Sequence, residues 1–284
     1  MRTIITGAGG MLAGAVIAAC RRNGHETLAL SRTDLDISDA DAVDAAFDRI
    51  MPDAVLNCAA YTDVDGAEVD EERCFAANAT GVKNLAESAL RVGAKLITVS
   101  TDYVFGGEKS DHYVESDAPN PLGVYARSKV EGETLALNAN PDCIVVRSGW
   151  IFGPGGTNFL SMIPLLLADG RQIKVISDAF GTPTYAKDLA QRMLELASSP
   201  GAGIVHAANA GGGTSFSEFA MRVCEIGRFD KSLVTPVTFA SLARPAPRPR
   251  SSKLASMRED ELGLHPMPKW ESAVERFVEI VRAG

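Results

Sequence analysis

The stretch Thr6-Gly7-Ala8-Gly9-Gly10-Met11-Leu12-Ala13-Gly14 joins a β-branched segment to a helical pattern, and it decides the fold. Gly7 and Gly10 permit a tight turn and a close approach of the backbone to a ligand. The backbone amides that open the following helix, at Met11 and Leu12, then face that ligand with the positive end of the helix dipole. The stretch therefore predicts a turn that holds the pyrophosphate of a dinucleotide. A glycine-rich turn without a ligand is the alternative.

Apolar segments and amphipathic helical patterns alternate on both sides of this turn. The predicted strands are 3–6, 26–30, 54–57, 95–100 and 144–147, and the predicted helices are 12–23, 40–50, 71–92 and 125–139. Strands that are apolar at nearly every residue are typical of a parallel sheet covered by helices on both faces. We therefore predict an α/β fold with a doubly wound parallel sheet of the Rossmann type. Gly24 and Gly93 are expected to end the helices they follow.

The pattern loosens after about residue 150. Further helices are predicted at 158–168, 186–197, 217–224 and 270–281, with strands at 173–176 and 204–207. We expect residues 1–150, together with parts of 172–207, to form a dinucleotide-binding Rossmann domain. Residues 151–284 are expected to form mostly a second, smaller α/β lobe that binds the substrate and is interleaved with the first.

The composition excludes several classes of protein. The 284 residues are 46% hydrophobic and 23% charged, and the net charge of -8 gives no basic field for nucleic acid or an anionic membrane. No apolar stretch reaches the roughly 20 residues of a membrane span. Five scattered cysteines are expected to be reduced thiols, and the first strand leaves no room for a signal peptide, so we expect a cytoplasmic protein. Four scattered histidines indicate no metal site built by the protein, and bound Mg²⁺ is left open.

The second predicted strand ends at Ser31 and Arg32, where an NADH-selective site usually carries an acidic residue. An arginine beside a hydroxyl suits the 2′-phosphate of NADPH, so NADPH is the expected cofactor and NADH an alternative donor. A solvated surface arginine is the other interpretation of Arg32. Asp36 and Ile37 follow where an adenine could lie, although Asp36 could equally cap the helix that begins near residue 40.

Polar side chains follow the strand predicted at 95–100. Thr101 and Asp102 come at its carboxyl end, which is where open α/β sheets bind ligands. Tyr125 and Lys129 are four residues apart and so share a helical face. A tyrosine with a pKa of about 10 is a poor acid or base at pH 7 unless a neighbouring cation favours its phenolate. Lys129 is in position to be that cation, so these residues predict a site for proton transfer.

With these motifs the chain resembles the extended short-chain dehydrogenase/reductase family over nearly its whole length. The shared motifs are the turn at Gly7, Asn57-Cys58-Ala59-Ala60-Tyr61-Thr62-Asp63-Val64-Asp65, Ser100-Thr101-Asp102-Tyr103-Val104-Phe105, Tyr125 to Lys129, Arg147-Ser148-Gly149-Trp150-Ile151-Phe152-Gly153, Asp178-Ala179-Phe180-Gly181-Thr182-Pro183-Thr184 and Arg248-Pro249-Arg250-Ser251-Ser252-Lys253-Leu254. The resemblance implies an NADPH-dependent oxidoreductase that reduces the C4 ketone of a dTDP-4-keto-6-deoxy sugar. It also implies that the substrate is a nucleotide sugar. For the oligomeric state of the protein we consider a homodimer.

The resemblance also implies roles for individual residues. Tyr125 would donate a proton, Thr101 would bond the same oxygen, and Lys129 would bind the nicotinamide ribose and lower the pKa of Tyr125. The cofactor would also be lined by Ala59, Ala60 and Tyr61, and the substrate by Thr62, Val64, Asp102, Phe105 and Trp150. Trp150 and Phe105 could instead be core residues, and Asp102 a turn residue.

A local basic cluster lies in the second half of the acidic chain. Its members are Arg244, Arg248, Arg250 and Lys253. A nucleotide diphosphate would suit one or two of them, and Arg248 is the predicted substrate residue. A solvated loop is an equal alternative.

Other functions stay open at this point. A sugar-nucleotide 4,6-dehydratase requires a carboxylate pair after the strand, whereas this chain has Asp102-Tyr103, so dehydration is disfavoured. Another nucleotide-sugar reductase or an epimerase of the same family is the alternative enzyme. A non-catalytic NADP-binding regulatory subunit is an alternative of a different class, and the presence of Thr101, Tyr125 and Lys129 together favours an enzyme.

Overall fold

A computed structural model describes residues 1–283. Its strands are β1 (Arg2–Thr6), β2 (Glu26–Leu30), β3 (Ala54–Asn57), β4 (Lys95–Thr101), β5 (Ile144–Ser148), β6 (Ile151–Phe152), β7 (Ile173–Ile176), β8 (Phe180–Gly181), β9 (Thr184–Tyr185), β10 (Gly203–His206), β11 (Thr214–Ser215) and β12 (Val234–Val237). Its helices are α1 (Met11–Arg22), α2 (Ala40–Ile50), α3 (Val64–Ala67), α4 (Glu71–Phe75), α5 (Gly81–Val92), α6 (Val124–Ala139), α7 (Phe159–Ala168), α8 (Ala186–Ala197), α9 (Phe216–Gly227) and α10 (Trp270–Ala283). A π-helical segment covers Ala76–Thr80, and 3₁₀ turns cover Asp102–Val104, Lys231–Leu233 and Phe239–Ser241.

Six strands form one parallel sheet in the order β2-β1-β3-β4-β5-β10. Successive strands are added on one side of β1 and then on the other, so the topology reverses between β1 and β3. There the hydroxyl of Thr6 donates to Oδ1 of Asn57 across 2.6 Å. Ligands of such sheets bind in the crevice that opens beyond the carboxyl ends at this reversal. The predicted doubly wound fold is confirmed.

Helices cover both faces of the sheet. Ile4 and Ile5 are adjacent and both fully buried, but they belong to opposite cores because strand side chains alternate between faces. α1 and α8 pack on the Ile5 side, and α2, α5 and α6 pack on the Ile4 side. Gly24 and Gly93 adopt positive φ after α1 and α5, as predicted for helix ends.

The second lobe is built from several excursions of the chain. α7, α9 and α10 enclose a core that includes Phe152, Phe219 and Phe277, against the parallel pair β7 and β12. Between these excursions the chain returns to the sheet through α8 and β10. Within residues 172–207, β7 therefore lies in the second lobe, whereas β10 is a strand of the Rossmann sheet and α8 packs on one face of that sheet.

The helix predicted over 71–92 is wrong in one detail, since the π-helical segment interrupts it. α6 passes this segment so closely that a Cβ at Gly132 would lie 2.0 Å from the carbonyl oxygen of Asn78. The Asn78 side chain bonds both backbone polar groups of Tyr61, at 2.8 and 3.0 Å. Short π-helical segments often occur near functional sites. In this protein the segment holds the loop that follows β3 in place through Asn78.

Candidate active site

A cleft of about 990 Å³ opens at the carboxyl ends of the sheet strands and is closed on its far side by the second lobe. The predicted site residues in its lining are Gly10, Met11, Leu12, Ala59, Ala60, Thr62, Val64, Thr101, Asp102, Tyr125, Lys129, Trp150 and Arg248. The predicted residues that lie outside the lining are Gly7, Arg32, Asp36, Ile37, Tyr61 and Phe105. The fold thus brings together residues from across the sequence in one cavity.

The glycine turn has the geometry that a pyrophosphate needs. Gly7 has a φ of +70°, and a Cβ there would lie 2.8 Å from the backbone of Ala59, so the position excludes a side chain. A Cβ at Gly9 would meet nothing within 4 Å, which leaves open space above the turn. Gly10 caps α1 without a side-chain hydrogen bond, so the first amides of this 12-residue helix face the cleft unblocked. The residues present therefore fit the phosphates of a dinucleotide.

Arg32 lies at the outer end of β2 and is exposed to solvent. Its Nη2 is 3.5 Å from Oδ2 of Asp36, a loose surface ion pair that leaves the guanidinium accessible. The neighbouring Ser31 hydroxyl is occupied, since it donates to Asp34 across 2.6 Å. Arg32 is thus the basic group at this edge that could meet a 2′-phosphate.

Asp36 has mainly local contacts, whereas Ile37 packs against distant segments of the chain. Oδ1 of Asp36 accepts hydrogen bonds from the amide and the hydroxyl of Ser38, at 3.0 and 2.7 Å. The alternative that Asp36 caps the next helix is wrong, because Asp39 is the N-cap of α2 and accepts from the amide of Ala42. Ile37 is buried in the core beneath α2 and α5.

The loop after β3 brings Ala59 and Ala60 to the cleft by way of its backbone. The amide of Ala59 donates to Oδ1 of Asn57 across 3.1 Å, which folds the loop back over the end of the strand. The Tyr61 ring lies outside the lining, beneath the guanidinium of Arg73, whose carbon is 5.9 Å from the ring centroid. Tyr61 therefore helps to fix the loop through its backbone.

Thr101 ends β4 and Asp102 begins the 3₁₀ turn that follows. Both are buried, and the Thr101 hydroxyl donates to Oδ1 of Asp102 across 3.2 Å. Burial raises the pKa of the Asp102 carboxyl from 3.8 to about 6. A Cβ at Gly149 would lie 2.3 Å from Cγ of Asp102, so only glycine leaves room for the carboxylate. Asp102 is held tightly against the cleft wall.

Tyr125 is half-buried in the first turn of α6, and its ring meets Tyr103 edge-on at 6.2 Å between centroids. Burial raises the pKa of the Tyr125 phenol and outweighs the hydrogen bond with Thr101, which lowers it. The expectation of a lowered pKa is thus corrected, since desolvation dominates in this structure. At neutral pH the phenol carries its proton.

Lys129 is buried one helical turn after Tyr125. Its Nζ donates to the backbone carbonyl of Val99 across 2.7 Å, which fixes the ammonium at the cleft wall. Burial lowers the pKa of Lys129 to about 8, and the nearby Glu133 carboxylate opposes this shift. Lys129 is therefore mostly charged at pH 7.

The four side chains of the basic cluster point in two different directions. Arg244 and Arg248 line the cleft, whereas Arg250 pairs with Asp178 at 2.8 Å and Lys253 donates to the carbonyl of Ser110. Arg248 is itself held by both carboxylate oxygens of Asp65, at 2.9 and 2.8 Å. Arg244 is exposed and reaches the same wall.

Phe216 and Phe159, which the sequence motifs did not identify, form an aromatic wall of the cleft together with the predicted Trp150. Trp150, which has a positive φ of 49°, stacks on Phe216 with 3.8 Å between ring centroids. Phe159, Leu242 and Lys174 also line this part of the cleft. Phe216 and Trp150 meet through a contact between distant segments of the chain, so no local sequence pattern predicts this pair.

Phe105 is corrected from a substrate contact to a core residue. It is fully buried and stacks on Tyr113 with 4.1 Å between ring centroids. The 3₁₀ turn over Asp102–Val104 redirects the chain after β4 and turns this side chain inward.

Residues 1–283 contain no group of three or more His, Cys, Asp and Glu side chains placed to hold a metal ion. In the same residues no helix has the length and apolarity to cross a membrane.

Comparison with known proteins places this geometry in context. Residues 1–283 match the family model described as the RmlD substrate binding domain. A dTDP-4-dehydrorhamnose reductase of Mycobacterium tuberculosis is 44% identical over 281 residues, covering 96% of this chain and 91% of that protein. A probable dTDP-4,6-dihydroxy-2-methyloxan-3-one 4-ketoreductase of Streptomyces antibioticus is 39% identical over 287 residues, covering 100% of this chain and 97% of that protein. The crystal structure of dTDP-4-dehydrorhamnose reductase from Bacillus anthracis in complex with NADP superposes with a TM-score of 0.94 at 32% identity, covering 98% of this chain and 99% of the other.

Proposed function

Because this chain belongs to the RmlD substrate binding domain family, we propose that it is an NADPH-dependent reductase of the C4 ketone of a dTDP-4-keto-6-deoxy sugar. The substrate is dTDP-4-dehydrorhamnose and the product is dTDP-L-rhamnose, a precursor for cell-surface polysaccharides. One observation carries the proposal: Thr101, Tyr125 and Lys129 line the same cleft as the glycine turn. Hydride donor, proton donor and ketone can therefore meet in one cavity.

Tyr125 is the proton donor in this proposal. Its phenol is protonated at neutral pH, since the ordinary pKa of a tyrosine is about 10, and it lines the cleft from the start of α6. Thr101 lines the same cleft, and its hydroxyl, which donates to Asp102 in this structure, would turn to hydrogen-bond the same developing alkoxide. Aimed donors of this kind stabilise the charge that forms on the ketone oxygen, and general acid catalysis contributes typically about 10²- to 10⁴-fold.

Lys129 and the glycine turn hold the cofactor. When bound, NADPH supplies the hydride for the ketone carbon. The turn from Gly7 to Leu12 would bind the pyrophosphate, Arg32 the 2′-phosphate, and the Lys129 ammonium the nicotinamide ribose. After Tyr125 gives up its proton, the charge on Lys129 favours the phenolate that remains.

The second lobe would bind the nucleotide sugar. Arg244 and Lys174 are exposed cations on the cleft wall and suit the diphosphate. Arg248, held by Asp65, contributes positive charge from a fixed position. The apolar faces of Trp150 and Phe216 suit the flat parts of the sugar nucleotide.

A related ketoreductase activity is the second candidate. The Streptomyces antibioticus relative is described as acting at a 4-keto group of a different dTDP sugar and matches this chain over its whole length. The proposed catalytic set serves either sugar, since reduction of a C4 ketone requires the same proton donor. Turnover of the two keto sugars side by side distinguishes these candidates.

The test is the oxidation of NADPH at 340 nm by the wild-type protein and by Tyr125→Phe. The wild-type protein should consume NADPH only when dTDP-4-dehydrorhamnose is present, and a binding subunit would consume none. Tyr125→Phe keeps the ring and its packing, so NADPH affinity should be unchanged while kcat falls by about 10²- to 10⁴-fold. A variant with undiminished kcat would refute the role of Tyr125.

We also propose that the protein works in the cytoplasm. All five cysteines are free thiols, and four of them are buried, which is typical of a reducing compartment. A homodimer stays a prediction, and light scattering of the purified protein tests it.

A further inference from the structure

Residues 244–254 form an irregular segment, here called the strap, that lines the cleft with Arg244 and Arg248 and then pairs with β8. Its backbone is anchored near its start, where the amide of Ala246 donates to Oδ1 of Asp65, and again from residue 250 onward. The amide of Phe180 donates to the carbonyl of Arg250, and the amide of Ser252 donates to the carbonyl of Phe180, at 2.7 and 2.9 Å. The carbonyl of Lys253 accepts from the amide of Tyr113. The course of the strap is thus fixed by main-chain bonds.

The Ser252 side chain makes a different kind of contact. Its hydroxyl donates to Oδ2 of Asp102 across 2.5 Å, and both residues are buried. A hydrogen bond to an ionised group in a buried site is among the stronger ones in proteins. The strap therefore reaches the carboxyl end of β4, 150 residues away in the sequence.

The other oxygen of the same carboxylate faces the proposed catalytic set. Oδ1 of Asp102 accepts from the Thr101 hydroxyl, and Thr101 lines the same cleft as Tyr125. Gly149 lies directly against this carboxylate, since a Cβ there would be 2.3 Å from Cγ of Asp102. A continuous line of hydrogen bonds therefore runs from Ser252 through Asp102 to Thr101, which lines the cleft together with the proposed proton donor.

We propose that Ser252 is a positioning residue for ketone reduction. By holding one oxygen of Asp102, its hydroxyl keeps the other oxygen against Thr101 and so fixes the position of the Thr101 side chain in the cleft. The segment that carries Arg244 and Arg248 for the nucleotide diphosphate is thereby linked to the group that acts on the sugar ketone. This inference rests on the proposed reductase function.

Ser252→Ala removes the hydroxyl but leaves the main-chain bond to Phe180 intact. The expected result is a fall in kcat of about tenfold, with KM for the nucleotide sugar changed less than threefold and NADPH affinity unchanged. In an Asp102→Ala background the same substitution should change kcat less than twofold, because the group it positions is gone. This coupling separates positioning from a general structural role.

Ser251→Ala is the matched control. Ser251 lies next to Ser252 on the strap and is buried, but its hydroxyl has no hydrogen-bond partner within residues 1–283. The control should keep wild-type kcat and melting temperature.

Three results would overturn the inference: a Ser252→Ala variant with kcat within twofold of wild type, an equal loss in the two backgrounds, or a loss of activity that accompanies a fall in melting temperature of about 10 °C or more. Failure of the wild-type protein to reduce the keto sugar would instead refute the proposed function itself.

Discussion

Replacing Asp102 by Asn should stabilise the protein at neutral pH while impairing the reaction. The structure holds this carboxylate in a buried site with hydrogen bonds from Thr101 and Ser252. Its pKa rises from 3.8 to about 6 because burial penalises the charge by more than these bonds compensate. One pKa unit corresponds to about 1.4 kcal/mol, so ionised Asp102 destabilises the fold by about 3 kcal/mol at pH 7.

The pH dependence has a defined sign. Folding favours the protonated acid, so the penalty is fully present above pH 6 and disappears as the pH falls through 6 toward 4. The neutral amide of Asp102→Asn carries no such penalty and has nearly the same shape. Its free energy of unfolding should therefore exceed the wild-type value by about 3 kcal/mol at pH 7, and the difference should shrink to near zero at about pH 4.

Urea denaturation of both proteins at a series of pH values measures this difference directly. Assays at pH 7 should show that the stabilised variant has lost at least tenfold in kcat/KM, because the amide no longer presents two acceptor oxygens to Thr101 and Ser252. A variant that is less stable than wild type at pH 7, or a stability difference that does not change with pH, would refute the reasoning.

Three further substitutions test other parts of the site. Arg244→Ala should raise KM for the nucleotide sugar about tenfold in steady-state assays and leave the melting temperature unchanged, because the side chain is exposed and lines the cleft. Arg32→Ala should raise KM for NADPH about tenfold and leave KM for NADH unchanged, and equal effects on both would remove its role at the 2′-phosphate. Gly149→Ala should lower both kcat and the free energy of unfolding, the latter by about 1–3 kcal/mol, since the added Cβ would lie 2.3 Å from Cγ of Asp102. Unchanged urea midpoints for that variant would show that Asp102 has room to move.

Much of the Rossmann half could be predicted because its signals are local. The turn at Gly7, the polar residues after β4 and the four-residue spacing of Tyr125 and Lys129 each depend on a short stretch of sequence. The parallel topology then brings strand ends to a common edge, which is why these separate motifs line one cleft.

The sequence could not predict features that depend on contacts between distant segments. The direction of Phe105 depends on a 3₁₀ turn that faces it inward onto Tyr113, and the interruption of the helix over 71–92 depends on the close approach of Gly132 to Asn78. The basic cluster was visible in the sequence, but the direction of each arginine depends on acidic partners that are distant in the sequence. Asp65 holds Arg248 at the cleft, whereas Asp178 holds Arg250 outside its lining.

The sign of the Tyr125 pKa shift was also beyond the sequence. The spacing to Lys129 indicates a cation nearby, but it contains no information on how deeply the phenol is buried. Desolvation is the larger effect in this structure, and it raises the pKa of the Tyr125 phenol.

The central claim is that Tyr125, Thr101 and Lys129 reduce a ketone with NADPH in this cleft. The most direct measurement mixes the purified protein with NADPH and dTDP-4-dehydrorhamnose, follows absorbance at 340 nm and identifies the product by mass. We predict one NADPH consumed per sugar nucleotide and a product two mass units heavier than the substrate. NADPH that binds but is not consumed, by a correctly folded protein, would contradict the claim.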